Sequence, residues 1–379
     1  MLDYETLKVI WWVLIGVLLI GFAVMDGHDM GVGTLLPFVG RSDVERRVII
    51  NTVGPHWDGN QVWFITAGGA IFAAFPLIYA TAFSGFYWAM LAVLWALFFR
   101  PVGFDYRSKI DDPRWRQTWD WGLFVGGFVP PLIFGVAFGN VLQGVPFSFD
   151  EGMVSTYTGS FWALLNPFAL LCGVVSSAMI TAHGGIYLAH RTEGEVQSRA
   201  SRSAQVALIV MLLCFAVAGV WVATGIEGYK ITSAVAPGGP ADPLAKEVVR
   251  AAGAWLANYQ QWPIAIAVPV VGFAGALLAL FALRLGWTLS AFIASALGMA
   301  GVIGTAGVSM FPFVMPSSSD PRSSLTVWDS VSSYMTLAIM LVVVVIFIPL
   351  IVFYTGWAYR VMRGKVTADF IGKNKHSAY

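Results

Sequence analysis

The chain has 379 residues, of which 58% are hydrophobic and only 11% are charged. Soluble domains carry about 25% charged residues, so this composition excludes an ordinary soluble fold and predicts an integral membrane protein. The formal net charge is +1, and the sequence has neither a polybasic run nor a Gly-rich phosphate loop. Nothing in it therefore indicates a nucleic-acid partner.

Nine apolar segments follow one another along the chain, and a bilayer requires about 20 apolar residues per helix. The first segment follows acidic residues and has no small-residue cleavage site, so we expect a retained span rather than a signal peptide. The weakest boundary separates the second and third segments, which only Gly68, Gly69 and Pro76 interrupt. The predicted spans are 8–36, 48–72, 76–104, 119–143, 161–190, 203–228, 262–284, 288–312 and 332–360.

The distribution of basic residues favours nine spans with the N-terminus outside. In that arrangement 17 of the 22 Lys and Arg residues lie on one side, and the positive-inside rule places that side in the cytoplasm. The sequence thus predicts an all-α integral membrane protein, a single membrane domain over 1–379, with a periplasmic N-terminus and a cytoplasmic C-terminus. We expect spans 1–4 and 5–8 to form two four-helix bundles, with the ninth helix peripheral. The outer loop 229–261 should form a polar cap.

Two acidic residues lie inside the first span, in the segment MDGHDMGVG. A carboxylate at membrane depth costs several kcal/mol, of the order of 2.5–3.5 on insertion scales, so such groups are retained where they face protein, water or protons. Asp26 and Asp29 are three residues apart and share one helical face. Gly27 and Gly31 form a small-xxx-small pair that would let another helix approach closely.

The second span begins after two arginines and reads NTVGPHWDGNQVWF. At about 100° per residue, a continuous helix is polar on two opposite sides. One side should face the chain's own helices and the other a partner subunit. The two polar sides are Asn51, Gly54, Asp58 and Gln61 on one, and His56, Asn60 and Trp63 on the other, and the sequence does not assign which of them faces the partner.

The inner end of the third span adds another carboxylate, Asp105, beside Arg100 and Lys109. Carboxylates graded from the membrane surface inward can pass protons through intervening waters. The predicted series runs from Asp105 to Asp29 or Asp26 and then to Asp58. His376 and Tyr379 in the tail are further candidates for contact with the Asp105 region.

Alternatives remain open for these residues. Asp26 or Asp29 could pair with Arg100 and fix helix packing, and His56 could be a satisfied core histidine. Trp63 and the other tryptophans could serve as packing anchors. The histidines lack paired spacing for a bis-histidine haem, and the two cysteines fit neither a zinc nor an iron–sulfur pattern. We therefore predict no catalytic residue and no metal site in this chain.

Several segments in order resemble subunit II of the cytochrome bd-type ubiquinol oxidases. The resemblance covers the full length and rests on many segments. They are GFAVMDGHDMGVG, GPHWDGNQVWFITAGGAIFAAFP, FRPVGFDYRSK, WDWG, FVPP, NPFALLCG, MFPFVMPSS and the closing tail.

The resemblance implies one large subunit of a bacterial inner-membrane complex that oxidises quinol and reduces oxygen to water. The partner, subunit I, would carry two b-type haems and one d-type haem as well as the site of quinol oxidation. This chain would bind no haem, and a structural ubiquinone or a lipid can occupy it. One or two small single-span subunits would complete the assembly.

By position, the resemblance implies a cytoplasmic proton path through Asp29, Asp58 and Asp105, with Arg100, Lys109 and His56 as nearby candidates. Trp63 matches a tryptophan near the oxygen route or the subunit interface, and Asn60 is grouped with it. One residue departs from the motif: His28 stands where Phe is usual.

Two other functions remain as alternatives. In a stand-alone ion or solute transporter the acids would form a cation site, although no inverted repeat is visible and the second half has no acid at membrane depth. In a purely structural subunit all the acids would stabilise helix packing.

Overall fold

The structure is a computed structural model that describes residues 2–373. Within these residues, eight helical segments are long and apolar enough to cross a membrane, and the bent pair α3–α4 counts as a ninth. The helices are α1 Tyr4–Val39, α2 Asp43–Val53, α3 Trp57–Ala74, α4 Pro76–Gly85, α5 Tyr87–Leu97, α6 Phe99–Tyr106, α7 Pro113–Gln143, α8 Pro167–Arg191, α9 Gly194–Thr224, α10 Ala257–Gln261, α11 Ala267–Arg284, α12 Thr288–Met310, α13 Tyr334–Val361 and α14 Ala368–Lys373.

The helices pack as two groups of four with α1 at the centre. In the first group, α1 packs against α3 and α7, and the segment α5–α6 packs against α7. In the second, α8 packs against α9 and α12, and α11 lies along α12. Contacts of α1 with α8 join the groups. Helix α13 touches α1 and α3 and has one fully buried residue, Leu337, so it is peripheral, as the sequence predicts.

Glycines set the distance between α1 and its neighbours. A Cβ added at Gly31 would lie 2.8 Å from the Gly184 Cα of α8 and closer still to the Ile180 carbonyl oxygen. A Cβ at Gly27 would meet the end of the Ile180 side chain. The prediction that this small-xxx-small pair admits another helix is therefore confirmed, and that helix is α8.

The second predicted span is not one helix. Helix α2 ends at Val53 and α3 begins at Trp57, because Pro55 has no backbone N–H and its ring clashes with the preceding turn. The predicted helical face that joined Asn51 to Asp58 therefore does not exist. A second break precedes Pro76, where α3 and α4 meet at a bend of 120°.

Short antiparallel hairpins cover the end of the molecule that holds loop 229–261. They pair β1 with β2, β3 with β4 and β5 with β6. The predicted polar cap has an apolar core, because Tyr229 and Trp255 are buried against Phe313. This burial raises the pKa of the Tyr229 hydroxyl to about 12. The strands are β1 Phe147–Phe149, β2 Ser155–Tyr157, β3 Glu227–Ile231, β4 Val248–Ala252, β5 Phe313–Met315 and β6 Leu325–Thr326.

Ion pairs tie the opposite end together, where most basic residues lie. Asp120 of α7 is buried and accepts hydrogen bonds from Arg46 of α2 and Arg107 beyond α6. Arg107 also pairs with Asp43, and Arg199 of α9 pairs with Glu45 of α2. Helix α2 is thus held beneath the helices that carry the predicted site.

Candidate functional site

Asp26 is part of a buried ion pair. Arg100 Nη1 donates to Asp26 Oδ2 over 2.8 Å, and Arg100 Nη2 bonds the other carboxylate oxygen. Both side chains are almost fully buried, and the Arg100 guanidinium lies 5.4 Å from the centre of the Trp57 ring. A bidentate pair of this kind fixes the orientation of both side chains. This geometry favours the packing alternative for Asp26 over a role in carrying protons.

Asp29, one helical turn further along α1, has no such partner. Its Oδ2 accepts a hydrogen bond of 2.7 Å from Asn60 Nδ2. Its Oδ1 lies 3.2 Å from His28 Nε2 and 3.7 Å from His56 Nδ1. Within residues 2–373 this oxygen has no hydrogen-bond partner, although the side chain is fully buried. Asp29 is therefore the carboxylate that remains available to bind a proton or a cation.

The outer nitrogen of each histidine ring faces a backbone carbonyl. His28 Nδ1 lies 3.1 Å from the Val24 oxygen, and His56 Nε2 lies 3.1 Å from the Thr52 oxygen. A carbonyl only accepts hydrogen bonds, so these two nitrogens carry the protons in the neutral rings. The inner nitrogens, which face Asp29, then hold lone pairs.

Tyr359 of α13 closes the group from the side. Its hydroxyl lies 2.8 Å from Asn60 Nδ2, 3.3 Å from His28 Nε2 and 3.5 Å from His56 Nδ1. We call His28, Asp29, His56, Asn60 and Tyr359 the His–Asp cluster. Its members come from α1, the start of α3 and the last turn of α13, and they lie together because α3 and α13 both pack on α1.

Three further sequence-predicted residues lie away from this cluster. Asp58 is exposed on α3, and Asp105 and Lys109 are exposed at the end of α6 and just beyond it. In the described part of the chain, none of the three is hydrogen-bonded to the His–Asp cluster. The charges of Asp29 and Asp58 both act on Arg100, so this arginine interacts electrostatically with both the buried and the exposed acid.

The two residues predicted for an oxygen route or an interface face inward. Asn60 is buried in the His–Asp cluster. Trp63 is half-buried against α1, where a Cβ at Gly21 would come 2.6 Å from its ring. The tail residues His376 and Tyr379 lie outside the described residues.

The sequence analysis did not identify two residues of this site, Tyr359 and Tyr187. Tyr187 of α8 lies 2.9 Å from His56 Nε2 and donates to the Thr52 carbonyl. Each is a tyrosine near the C-terminal end of an apolar span, at the predicted depth of Asp29. That shared depth was the available signal, but depth does not show which spans are neighbours.

A large apolar cavity lies between the two helix groups. Its volume is about 460 Å³, and the residues around it are almost entirely apolar. Among residues 2–373, no histidine belongs to its lining. The shape and chemistry suit a hydrocarbon chain. Its lining includes Phe22, Phe134, Phe138, Met179, Phe215 and Ile303.

The chain matches the family described as cytochrome bd terminal oxidase subunit II over residues 7–362. It is 57% identical over 379 residues to cytochrome bd-I ubiquinol oxidase subunit 2 of Escherichia coli (strain K12), with both chains covered completely. It is 56% identical over 382 residues to the probable cytochrome oxidase subunit 2 of Haemophilus influenzae, again with both chains covered completely.

The fold resembles that of the bd oxidase from Geobacillus thermodenitrificans. The TM-score is 0.69 at 14% sequence identity, with 94% of this chain and 98% of that chain covered. Fold and site together define a helical membrane protein with a buried polar cluster. The chain belongs to the cytochrome bd terminal oxidase subunit II family. It is a subunit of an oxidoreductase complex and, like its relatives, an inner-membrane protein.

Proposed function

We propose that this chain is the haem-free subunit of a quinol:oxygen oxidoreductase and that it delivers protons from the cytoplasm to oxygen-reducing haems in subunit I. The relatives' names supply the quinol oxidase activity, and family membership implies the partner subunit and its haems. The crowding of basic side chains at one end supports the predicted orientation, with that end cytoplasmic.

The main support for the proposed proton path is the contrast between two buried carboxylates. Asp26 is neutralised by Arg100, whereas Asp29 has a free oxygen among imidazole and hydroxyl groups. Those groups exchange protons readily, and carboxylates inside a membrane commonly mark proton relays. Asp105 at the surface would collect protons, and Asp58 on the exposed face of α3 would pass them to the partner.

The test is Asp58→Asn in the intact complex. The neutral amide has nearly the same shape, so we expect normal assembly and haem content but at least tenfold slower oxygen consumption and proton uptake from the inside. Glu247→Gln, at an exposed acid of the outer hairpin, is the control and should keep full activity. Undiminished turnover in assembled Asp58→Asn complex would contradict the relay and favour the purely structural alternative.

The apolar cavity supports a second part of the proposal. A volume of about 460 Å³ with an apolar lining suits the isoprenoid tail of a structural ubiquinone or the acyl chain of a lipid. Mass spectrometry of lipids extracted from the purified complex would identify the occupant. Family membership favours the oxidase subunit over a stand-alone transporter.

A further inference from the structure

We propose that His28, Asp29 and His56 form a binding site for a divalent transition-metal cation, for which Zn²⁺ is the probe. The ligand atoms of these three residues all lie within 4.8 Å of one another. In a tetrahedral zinc site with bonds of about 2.0–2.2 Å, neighbouring ligand atoms are about 3.3 Å apart. The separations from Asp29 Oδ1 to the two imidazole nitrogens are 3.2 and 3.7 Å and are close to this value. The two nitrogens, within 4.8 Å of each other, would approach by up to about 1.5 Å when the ion binds.

The surroundings of the two rings prepare them as ligands. A histidine that binds a metal usually donates its other ring N–H to a carbonyl or carboxylate, which fixes the tautomer and the orientation of the ring. The contacts of His28 with the Val24 carbonyl and of His56 with the Thr52 carbonyl supply this arrangement. Each inner nitrogen then holds a lone pair within 3.7 Å of Asp29 Oδ1.

The cluster has more acceptors than donors. Two imidazole lone pairs and Asp29 Oδ1 face one another, while the nearby donors are the amide of Asn60 and the single hydroxyl proton of Tyr359. Asn60 already donates to Asp29 Oδ2, and Oδ1 remains without a donor in the described chain. A buried acceptor without a partner is unfavourable by about 1–3 kcal/mol, more when charged. Asn60 Nδ2 lies 3.0 Å from His56 Nδ1 and the Tyr359 hydroxyl 3.3 Å from His28 Nε2, so Oδ1 is the atom without a donor. A cation would supply its missing partner and could bind both imidazole nitrogens as well.

The balance of charges around Asp29 also favours a bound cation. Arg100, the buried guanidinium nearest to this region, is engaged by Asp26, so Asp29 is left without a hydrogen-bonded cation among the described residues. The Tyr359 oxygen lies within 3.5 Å of both inner nitrogens, which is close enough for it to serve as a fourth ligand. Imidazole and carboxylate together suit zinc and other divalent transition metals.

The site depends on His28, which stands where the resembling motif usually has Phe. The inference goes beyond the proposed function, because it rests on the cluster's geometry and not on proton transfer. It has a consequence for that function: an ion bound to Asp29 Oδ1 excludes a proton from the same oxygen. The metal would then compete with proton delivery.

The test measures zinc bound to the intact complex. Complex purified in metal-free buffer is exposed to Zn²⁺, passed through a desalting column and assayed for zinc per haem by mass spectrometry. We expect one more zinc per complex in the wild type than in His28→Phe or His56→Gln, and at least tenfold weaker binding in both variants. His190→Gln changes a histidine that contacts Thr288 instead and should bind zinc like the wild type.

X-ray absorption at the zinc edge should show two imidazole nitrogens and at least one oxygen around the ion. Equal zinc in the wild type and His28→Phe, with equal haem content, would overturn the site, as would a spectrum without imidazole. Asp58→Asn should bind zinc normally whatever its turnover. Failure of the metal site and failure of the proton path are therefore distinguishable.

Discussion

Asp26 and Asp29 show how one helical turn separates two roles. Both are buried carboxylates on the same helix, but only Asp26 has a guanidinium within hydrogen-bond distance. A paired ion in a dry interior is held in place by the large penalty of leaving either charge alone. An unpaired carboxylate beside imidazoles keeps the freedom to change its protonation or its ligand.

The ion pair gives a prediction about stability. Asp26→Asn would leave the buried Arg100 without its counterion, and we expect it to destabilise the complex by about 3–5 kcal/mol. The double variant Asp26→Asn with Arg100→Gln removes both charges and should recover part of that loss. Thermal denaturation of the purified complexes measures both. A double variant no more stable than the single one would contradict the pairing argument.

Sequence reasoning located Asp29, His56 and Asn60 because acids and amides are conspicuous in apolar spans. It left open whether Asp26 or Asp29 pairs with Arg100, since the two lie on the same helical face. Only packing decides this, by placing α6 opposite Asp26. Tyr359 could not be assigned because its contact joins residues about 300 positions apart in the chain.

At the scale of elements, hydrophobic length was sufficient to find the membrane-crossing segments. The sequence also predicted an interruption at Pro76, between the second and third segments, but not the break at Pro55. Proline at position 55 separates α2 from α3, and Pro76 separates α3 from α4. The first break matters for the site, because it places His56 at the N-cap of α3. There its ring reaches both the Thr52 carbonyl and Asp29.

The crossing of α1 and α8 gives a prediction with a matched control on the same helix. Gly31→Ala places a Cβ against the α8 backbone, so the helices must move apart and assembly should fall severalfold. A Cβ at Gly16 would meet nothing within 4 Å, and Gly16→Ala should be neutral or stabilising by up to about 1 kcal/mol. The yield of haem-containing complex in detergent measures both, and equal yields would contradict the close-packing argument.

At the scale of the molecule, one face of α3 is exposed and yet carries Asp58. Val62 and Ile65 lie on the same side, with exposures of 52% and 67%. An acid at membrane depth is rarely in contact with lipid, which makes this face the expected contact with subunit I. The exposed face of α9 around Leu213 is apolar throughout and suits lipid.

The two faces should respond differently to a bulky residue. Val62→Trp would obstruct a closely packed protein interface, and we expect severalfold less haem-bearing subunit to co-purify with this chain. Leu213→Trp, at 64% exposure, adds the same bulk where lipid can rearrange and should leave co-purification unchanged. If the two variants behave alike, the α3 face is not the contact surface.

Tyr359 links the most peripheral span to the most buried polar group. Helix α13 has a single fully buried residue, so its tilt is set largely by what surrounds the protein. Spans adjust their tilt to the thickness of the hydrocarbon layer. A thinner or thicker bilayer would therefore shift the Tyr359 hydroxyl relative to Asp29 and change how easily water reaches that carboxylate. Lipid composition thus becomes a determinant of the chemistry at the centre of this subunit.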